Sequence, residues 1–121
     1  MVGGVRKHRY LLADPNSQFR IMTSRDGLHW DVRPSPGGLY LEEVVWGGGV
    51  ILATGLQFRP NTTVTKQIIR STDGVHWELV HTMHYPPTLV YGNGKFVVVS
   101  VNEVATSRDG KRWGLVGTIG P

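Results

Sequence analysis

The chain has 121 residues, a mass of 13.4 kDa, 40% hydrophobic and 18% charged residues, which leaves room for one compact domain and argues against wholesale disorder. It contains no cysteine, so neither a disulfide framework nor a thiolate metal site is possible. The net charge of +4 and pI near 9.8 permit an acidic partner, but the basic residues are scattered rather than gathered on one face, which argues against nucleic acid as the ligand.

Sixteen glycines and seven prolines punctuate short apolar runs, the pattern of many short strands joined by tight turns. In chain order, Met1-Val2-Gly3-Gly4-Val5-Arg6-Lys7 lacks the apolar stretch of a signal peptide. The first strands fall at Arg9–Ala13, Phe19–Ser24 and Trp30–Arg33, in a unit over about 1–38 whose own leading strand and glycine turn are missing or vestigial. A second unit, about 39–82, carries strands near 40–46, 50–56, 66–72 and 76–82. A third, about 83–121, carries strands near 87–91, 95–101, 103–108 and 112–118. No apolar run approaches the roughly 20 residues of a membrane span, so the expectation is a soluble chain without a membrane partner.

The units are defined by a repeat. Ile21–Trp30, Ile68–Trp77 and Val104–Trp113 align without gaps on Ser-x-Asp-Gly-x-x-Trp: Ser24, Asp26, Gly27 and Trp30; Ser71, Asp73, Gly74 and Trp77; Ser107, Asp109, Gly110 and Trp113. The serines lie 47 and 36 residues apart, the size of a four-stranded propeller blade. Each copy reads as a hairpin in which Asp-Gly reverses the chain and Gly supplies a positive φ. The Asp carboxylate can accept turn N–H groups, the Ser hydroxyl can bond across the loop, and Trp opens the outgoing strand and buries its ring. These residues are thus assigned structural roles. A second repeat precedes two of the copies: Val45–Ala53 matches Val90–Val98, strand, glycine-rich turn, strand.

The copies differ most in the loop between the second and third strands. In the second unit it holds Gln57 to Thr65, about nine residues more than in the third. Phe58, Arg59 and Asn61 make it either a contact loop or a tolerated surface insertion. Tyr85, beside Pro86-Pro87, is the other binding candidate because packing explains it least. His29 and His76 sit where the third unit has Arg112, so they read as exposed turn flanks. His81 and His84 form His-x-x-His without a third ligand. No metal, cofactor or catalytic constellation is expected.

The Ser-x-Asp-Gly-x-x-Trp turn resembles the Asp-box, or bacterial neuraminidase repeat, whose usual form, Ser-x-Asp-x-Gly-x-x-Trp, is one residue longer between Asp and Gly. With Tyr91-Gly92-Asn93-Gly94-Lys95-Phe96 upstream, the pattern is similar to the short Asp-box blades of bacterial surface and phage tail-associated proteins. The resemblance implies an all-β fold of three four-stranded antiparallel propeller-type blades, the first truncated, as a partial or oligomer-completed β-propeller. It does not imply an activity. Sialidases of the family use an arginine trio, a Tyr–Glu pair and an Asp acid/base on six blades. Phe58-Arg59-Pro60 is similar to one of their arginine segments but lacks its Ile and lies inside the second unit. Glu42 and Glu43 are neighbours on opposite strand faces rather than a paired acid and base.

Three blades leave two apolar faces and a strand edge bare, and such surfaces mark interaction sites. The expected partners are therefore further protein: a second copy completing a six-bladed ring, or a larger shell, fibre or tail. The expected function is a non-enzymatic structural and interaction module in a virion, a cytoplasm-assembled particle or a cell-surface assembly. A carbohydrate-binding propeller module is the alternative, and a sialidase-like glycosidase fragment is disfavoured.

Overall fold

The computed structural model describes residues 5–6, 9–14, 16–58, 64–83, 87–101 and 103–118. The fold is all-β: among the described residues, twelve strands form three four-stranded antiparallel sheets, each with its strands in sequence order. Sheet 1 holds β1 (Val5–Arg6), β2 (Arg9–Asp14), β3 (Ser17–Ser24) and β4 (Asp31–Pro34); sheet 2 holds β5 (Tyr40–Gly47), β6 (Val50–Gln57), β7 (Thr65–Ser71) and β8 (Glu78–Met83). Sheet 3 holds β9 (Pro87–Gly92), β10 (Lys95–Ser100), β11 (Glu103–Ser107) and β12 (Gly114–Thr118). The vestigial leading strand of the first unit is the two-residue β1, which pairs Val5 with Tyr10 and Arg6 with Arg9.

The sheets share one register. Tyr10 pairs with Ser24, Ile51 with Ser71 and Phe96 with Ser107, so Leu11, Leu52 and Val97 are equivalent positions, as are Thr23, Arg70 and Thr106. Strand neighbours point to opposite faces, and in sheet 2 both faces are buried. Ile51, Ala53 and Ile69 face sheet 1 in a core with Leu11, Ile21, Leu41 and Val44. Val50, Leu52 and Ile68 face sheet 3 in a second core with Leu89, Phe96 and Val98. This is why β6 opens on the uninterrupted run Val50-Ile51-Leu52-Ala53 instead of alternating with polar residues. In sheet 3 the Phe96 and Val98 face is covered by sheet 2, and on the other side, which no described element covers, Val97 and Val99 are half-buried.

Sheets 1 and 2 are joined through Ser35, whose hydroxyl donates to the Leu39 carbonyl at 2.5 Å and whose N–H donates to the Phe19 carbonyl at 2.8 Å. A single 3₁₀ turn, Pro36–Gly38, completes the link and leaves Leu39 buried. Consecutive sheets then interlock through glycines. A Cβ on Gly74 would lie 2.8 Å from Leu11 Cδ1, and one on Gly110 would lie 2.9 Å from Leu52 Cδ2. Gly47 in sheet 2 is overlaid by the Tyr91 ring of sheet 3 so closely that a Cβ would overlap it. Sheets 2 and 3 thus each press the Asp-Gly turn onto the central leucine of the sheet before.

Two expectations are corrected. The link between the third and fourth strands is longer than the three residues expected at 73–75 and 109–111: β7 ends at Ser71 and β8 begins at Glu78, with the same spacing in the other sheets. Trp30, Trp77 and Trp113 therefore precede the outgoing strand instead of opening it, because the turn continues through the residues capped by Asp. Their rings are half-buried rather than enclosed, Trp77 packing on the first core and Trp113 on the second.

The interlock sets an order of mutational costs. Leu52, 0% exposed, should cost about 2–5 kcal/mol when changed to Ala. Gly74→Ala should cost about 1–3 kcal/mol more than Gly49→Ala, since both glycines have φ near +80° but only Gly74 meets a neighbouring sheet. Urea unfolding checks both, and equal costs at the two glycines would contradict the packing described.

Candidate functional site

The three repeat turns have one geometry. The serine hydroxyl is buried and accepts from the glycine N–H, at 2.8 Å for Ser24, 2.7 Å for Ser71 and 2.8 Å for Ser107. It donates to Oδ1 of the aspartate at 3.1, 3.0 and 3.1 Å respectively. That Oδ1 also accepts two turn N–H groups: Leu28 and His29 on Asp26, Val75 and His76 on Asp73, Lys111 and Arg112 on Asp109, all at 2.8–2.9 Å. The indole N–H closes each turn by donating to the glycine carbonyl at 3.1, 3.3 and 3.0 Å. The positive φ of Gly27, Gly74 and Gly110, 80–81°, brings that carbonyl round to the indole.

These bonds hold the aspartates ionised. The His29 N–H, then its ring, then the Leu28 N–H depress the Asp26 carboxyl well below the usual range. Burial pushes Asp73 up but is outweighed by the ring and N–H of His76 and the N–H of Val75, so it too is depressed. Asp109 is held at about 2, chiefly by the N–H groups of Arg112 and Lys111. His29 and His76, read as exposed flanks, are exposed, and each sets Nδ1 on the second oxygen of its aspartate, at 2.8 and 2.7 Å. The bond to Asp26 raises His29 above its ordinary 6.5. A carboxylate so engaged is a strong acceptor and a poor proton donor near neutral pH, so the repeat aspartates are built for holding a turn.

The turns also border the contacts between sheets. Arg70 Nε donates to the Asp109 carbonyl at 2.7 Å, and Lys111 Nζ lies 3.3 Å from Glu78 Oε1, which ties the turn of sheet 3 to β7 and β8. The sheet 1 turn lines an open recess with Asp31, Arg33 and Val75 of the sheet 2 turn. The sheet 3 turn lines a shallower one with Lys95, Thr106, Arg108 and Arg112. Of the adjacent acids, Glu42 pairs with Lys66 at 3.0 Å. Burial pushes Glu43 up, partly offset by a hydrogen bond from the Leu89 N–H, so Glu43 links β5 to β9 rather than sharing a site with Glu42.

Of the binding candidates, Phe58 is half exposed and stands at the end of β6, edge-on to Tyr40 with ring centroids 6.3 Å apart. Tyr40 in turn meets Phe19 edge-on at 5.4 Å and donates its hydroxyl to Gln18 Oε1 at 2.6 Å. The structure thus joins Phe58 to an exposed aromatic group spanning sheets 1 and 2. Phe19 is the member that sequence reasoning missed; nothing local distinguishes it from an ordinary strand residue, and only the docking of Tyr40 across the sheets brings the rings together. Arg59, Asn61 and Tyr85 lie outside the described residues, as does His84, while His81 is exposed. Among the described residues, no three His, Asp or Glu side chains are grouped to hold a metal ion. No helix there is long and apolar enough to cross a membrane. Comparison with protein-family models and with curated proteins gives no match.

The turn chemistry predicts an acid dependence with a definite sign. Asp109 has a folded value of about 2 against an ordinary 3.8, so its contribution is complete above the ordinary value and is lost as pH falls towards 2. The raised His29 acts oppositely, contributing below its ordinary 6.5 and losing that contribution as pH rises through its folded value. Thermal midpoints should therefore drop between pH 4 and pH 2, and Asp109→Asn should flatten that drop. Ser71→Ala, which leaves the Gly74 N–H without its acceptor, should cost about 1–3 kcal/mol in urea unfolding.

Proposed function

We propose that this chain is a non-catalytic structural and interaction module of the Asp-box type, its three sheets being blades of a β-propeller completed by association, in a virion or cell-surface assembly. One observation carries the reading: sheet 3 presents a face that no described element covers and whose positions are core in sheet 2. Val90, Val97, Val99 and Val104 stand where sheet 2 has Val45, Leu52, Thr54 and Ile68. Leu52 and Ile68 are fully buried by sheet 3, whereas Val90 is 51% exposed. Apolar faces of this kind are interaction surfaces. The use of the repeat carboxylates in turn hydrogen bonds supports a scaffold over a glycosidase, which needs two carboxyl groups facing a substrate across a set gap.

Light scattering over a concentration series tests the reading. Self-association should appear as a discrete mass of twice 13.4 kDa, or as a mass that grows with concentration if the contact does not close. A mass of 13.4 kDa at every concentration would remove self-association.

A second reading, glycan binding, is favoured by the exposed Phe19–Tyr40–Phe58 group, since aromatic rings backed by a polar side chain such as Gln18 suit sugar recognition. Glycan-array binding abolished by Phe58→Ala, with an unchanged thermal midpoint, would support it; absence of binding to any glycan would count against it.

A further inference from the structure

The sheets repeat with a direction, and that direction identifies what covers the open face. Within the chain, the turn of sheet 2 docks on Leu11 and Thr23 of sheet 1, and the turn of sheet 3 docks on Leu52 and Val50 of sheet 2. The receiving leucines are 3% and 0% exposed. Sheet 3 has the same receiving positions, Lys95, Val97 and Thr106, with no turn upon them among the described residues: Val97 is half-buried and Lys95 exposed. Gly92 stands where Gly47 lies beneath Tyr91, and among the described residues nothing comes within 4 Å of a Cβ placed on it.

Sheet 1 has the complementary deficit. The atoms nearest a Cβ on Gly27 are those of Tyr10 in its own sheet, from 3.5 Å, where Gly74 and Gly110 each meet the preceding sheet. The residue following Gly27 is Leu28, 80% exposed at the tip of its turn. Its equivalents are engaged, Val75 lining the recess on sheet 1 and Lys111 pairing with Glu78. Sheet 3 has Gly114 where sheet 2 has Glu78 and sheet 1 has Asp31, and Val90, which pairs with Val97 on the same face, is 51% exposed. In the contact of sheet 3 on sheet 2 a lysine in the turn meets an acid, whereas in that of sheet 2 on sheet 1 the turn carries Val75 beside Asp31. Where the turn carries leucine instead, the receiving face of sheet 3 has lost the acid and shows apolar surface. Both unused surfaces thus present apolar side chains, Leu28 on one and Val90 and Val97 on the other.

We propose that a second copy of this chain docks head-to-tail, its Ser24–Trp30 turn and the outward face of its sheet 1 covering the Val97 face of sheet 3. The contact continues the interface that the chain already makes twice within itself. The proposal rests on the self-association reading above and specifies its surfaces. A contact between unlike surfaces forms a ring when its rotation closes, and two copies each giving and receiving one contact bring together six sheets.

The natural chain has no cysteine, so single cysteines report cleanly. Leu28→Cys and Gly114→Cys variants, both at exposed positions, are co-expressed and treated with a short bismaleimide, alongside each variant alone. The Lys111–Glu78 pair shows that the equivalent side chains come within reach. The expected result is a covalent dimer from the co-expressed pair and from neither variant alone. Cross-linking of Leu28→Cys alone would mean that two sheet 1 edges pair with each other, and it overturns the proposal. A dimeric mass by light scattering without any cross-link overturns this interface while leaving self-association standing; a monomeric mass throughout removes both and assigns the face to a different protein. As a second check, Leu28→Asp should weaken association at least about tenfold without moving the monomer's thermal midpoint, and unchanged association would also overturn the proposal.

Discussion

The contact on which the rest of this structure depends is the insertion of a glycine turn from one sheet against the central leucine of the sheet before it. A four-stranded antiparallel sheet cannot bury both its faces alone, so its stability depends on neighbours. Here the neighbour is brought in at the turn, where a Cβ on Gly74 or Gly110 would stand 2.8 or 2.9 Å from Leu11 or Leu52, closer than carbon atoms pack. The absence of a side chain at those glycines lets the backbones approach, and the close approach seals the core between the sheets. The hydrogen bonds of Ser, Asp and Trp have no substrate in view; they hold the glycine at its positive φ so that the turn reaches its neighbour in a fixed shape.

This arrangement accounts for the division of labour among the three sheets. Sheet 2 is covered on both sides and has the continuous apolar strand Val50-Ile51-Leu52-Ala53. Sheets 1 and 3 are each covered on one side, and on its other side sheet 3 has Val97 and Val104 where sheet 2 has the larger Leu52 and Ile68. The unfilled receiving face of sheet 3 and the unplaced turn of sheet 1 are the two halves of the same contact. Function in the proposed reading follows from that incompleteness, since a closed molecule would have no such surfaces to offer.

The polar residues of the turns are engaged with one another in a way that constrains what else they could do. Each aspartate accepts from the serine and from backbone groups, and two of them accept from a histidine ring as well. Proton transfer at such carboxylates would cost the turn its closure. Exposed chemistry of another kind gathers elsewhere, in the aromatic group of Phe19, Tyr40 and Phe58 at the ends of sheets 1 and 2.

The all-β class, the three four-strand units and nearly all strand positions were legible in the sequence, because Ser-x-Asp-Gly-x-x-Trp recurs in register and its residues interact locally. Serine, aspartate, glycine and tryptophan lie within seven residues of one another, so their hydrogen bonds depend on little beyond the turn. Even the short β1 was visible as a shortage of chain before Arg9. What needed the tertiary structure was everything that acts between sheets: the extension of the turn through the tryptophan, the half-burial of that ring, the link from Glu43 to Leu89, and the meeting of Phe19 with Tyr40 and Phe58. Sequence periodicity assigns a residue to a face, but which neighbour covers that face depends on how separate sheets stack. That is why the repeat itself could identify the turns, while only the packed sheets could reveal that each turn is received by the preceding one and that one turn and one receiving face remain unmatched.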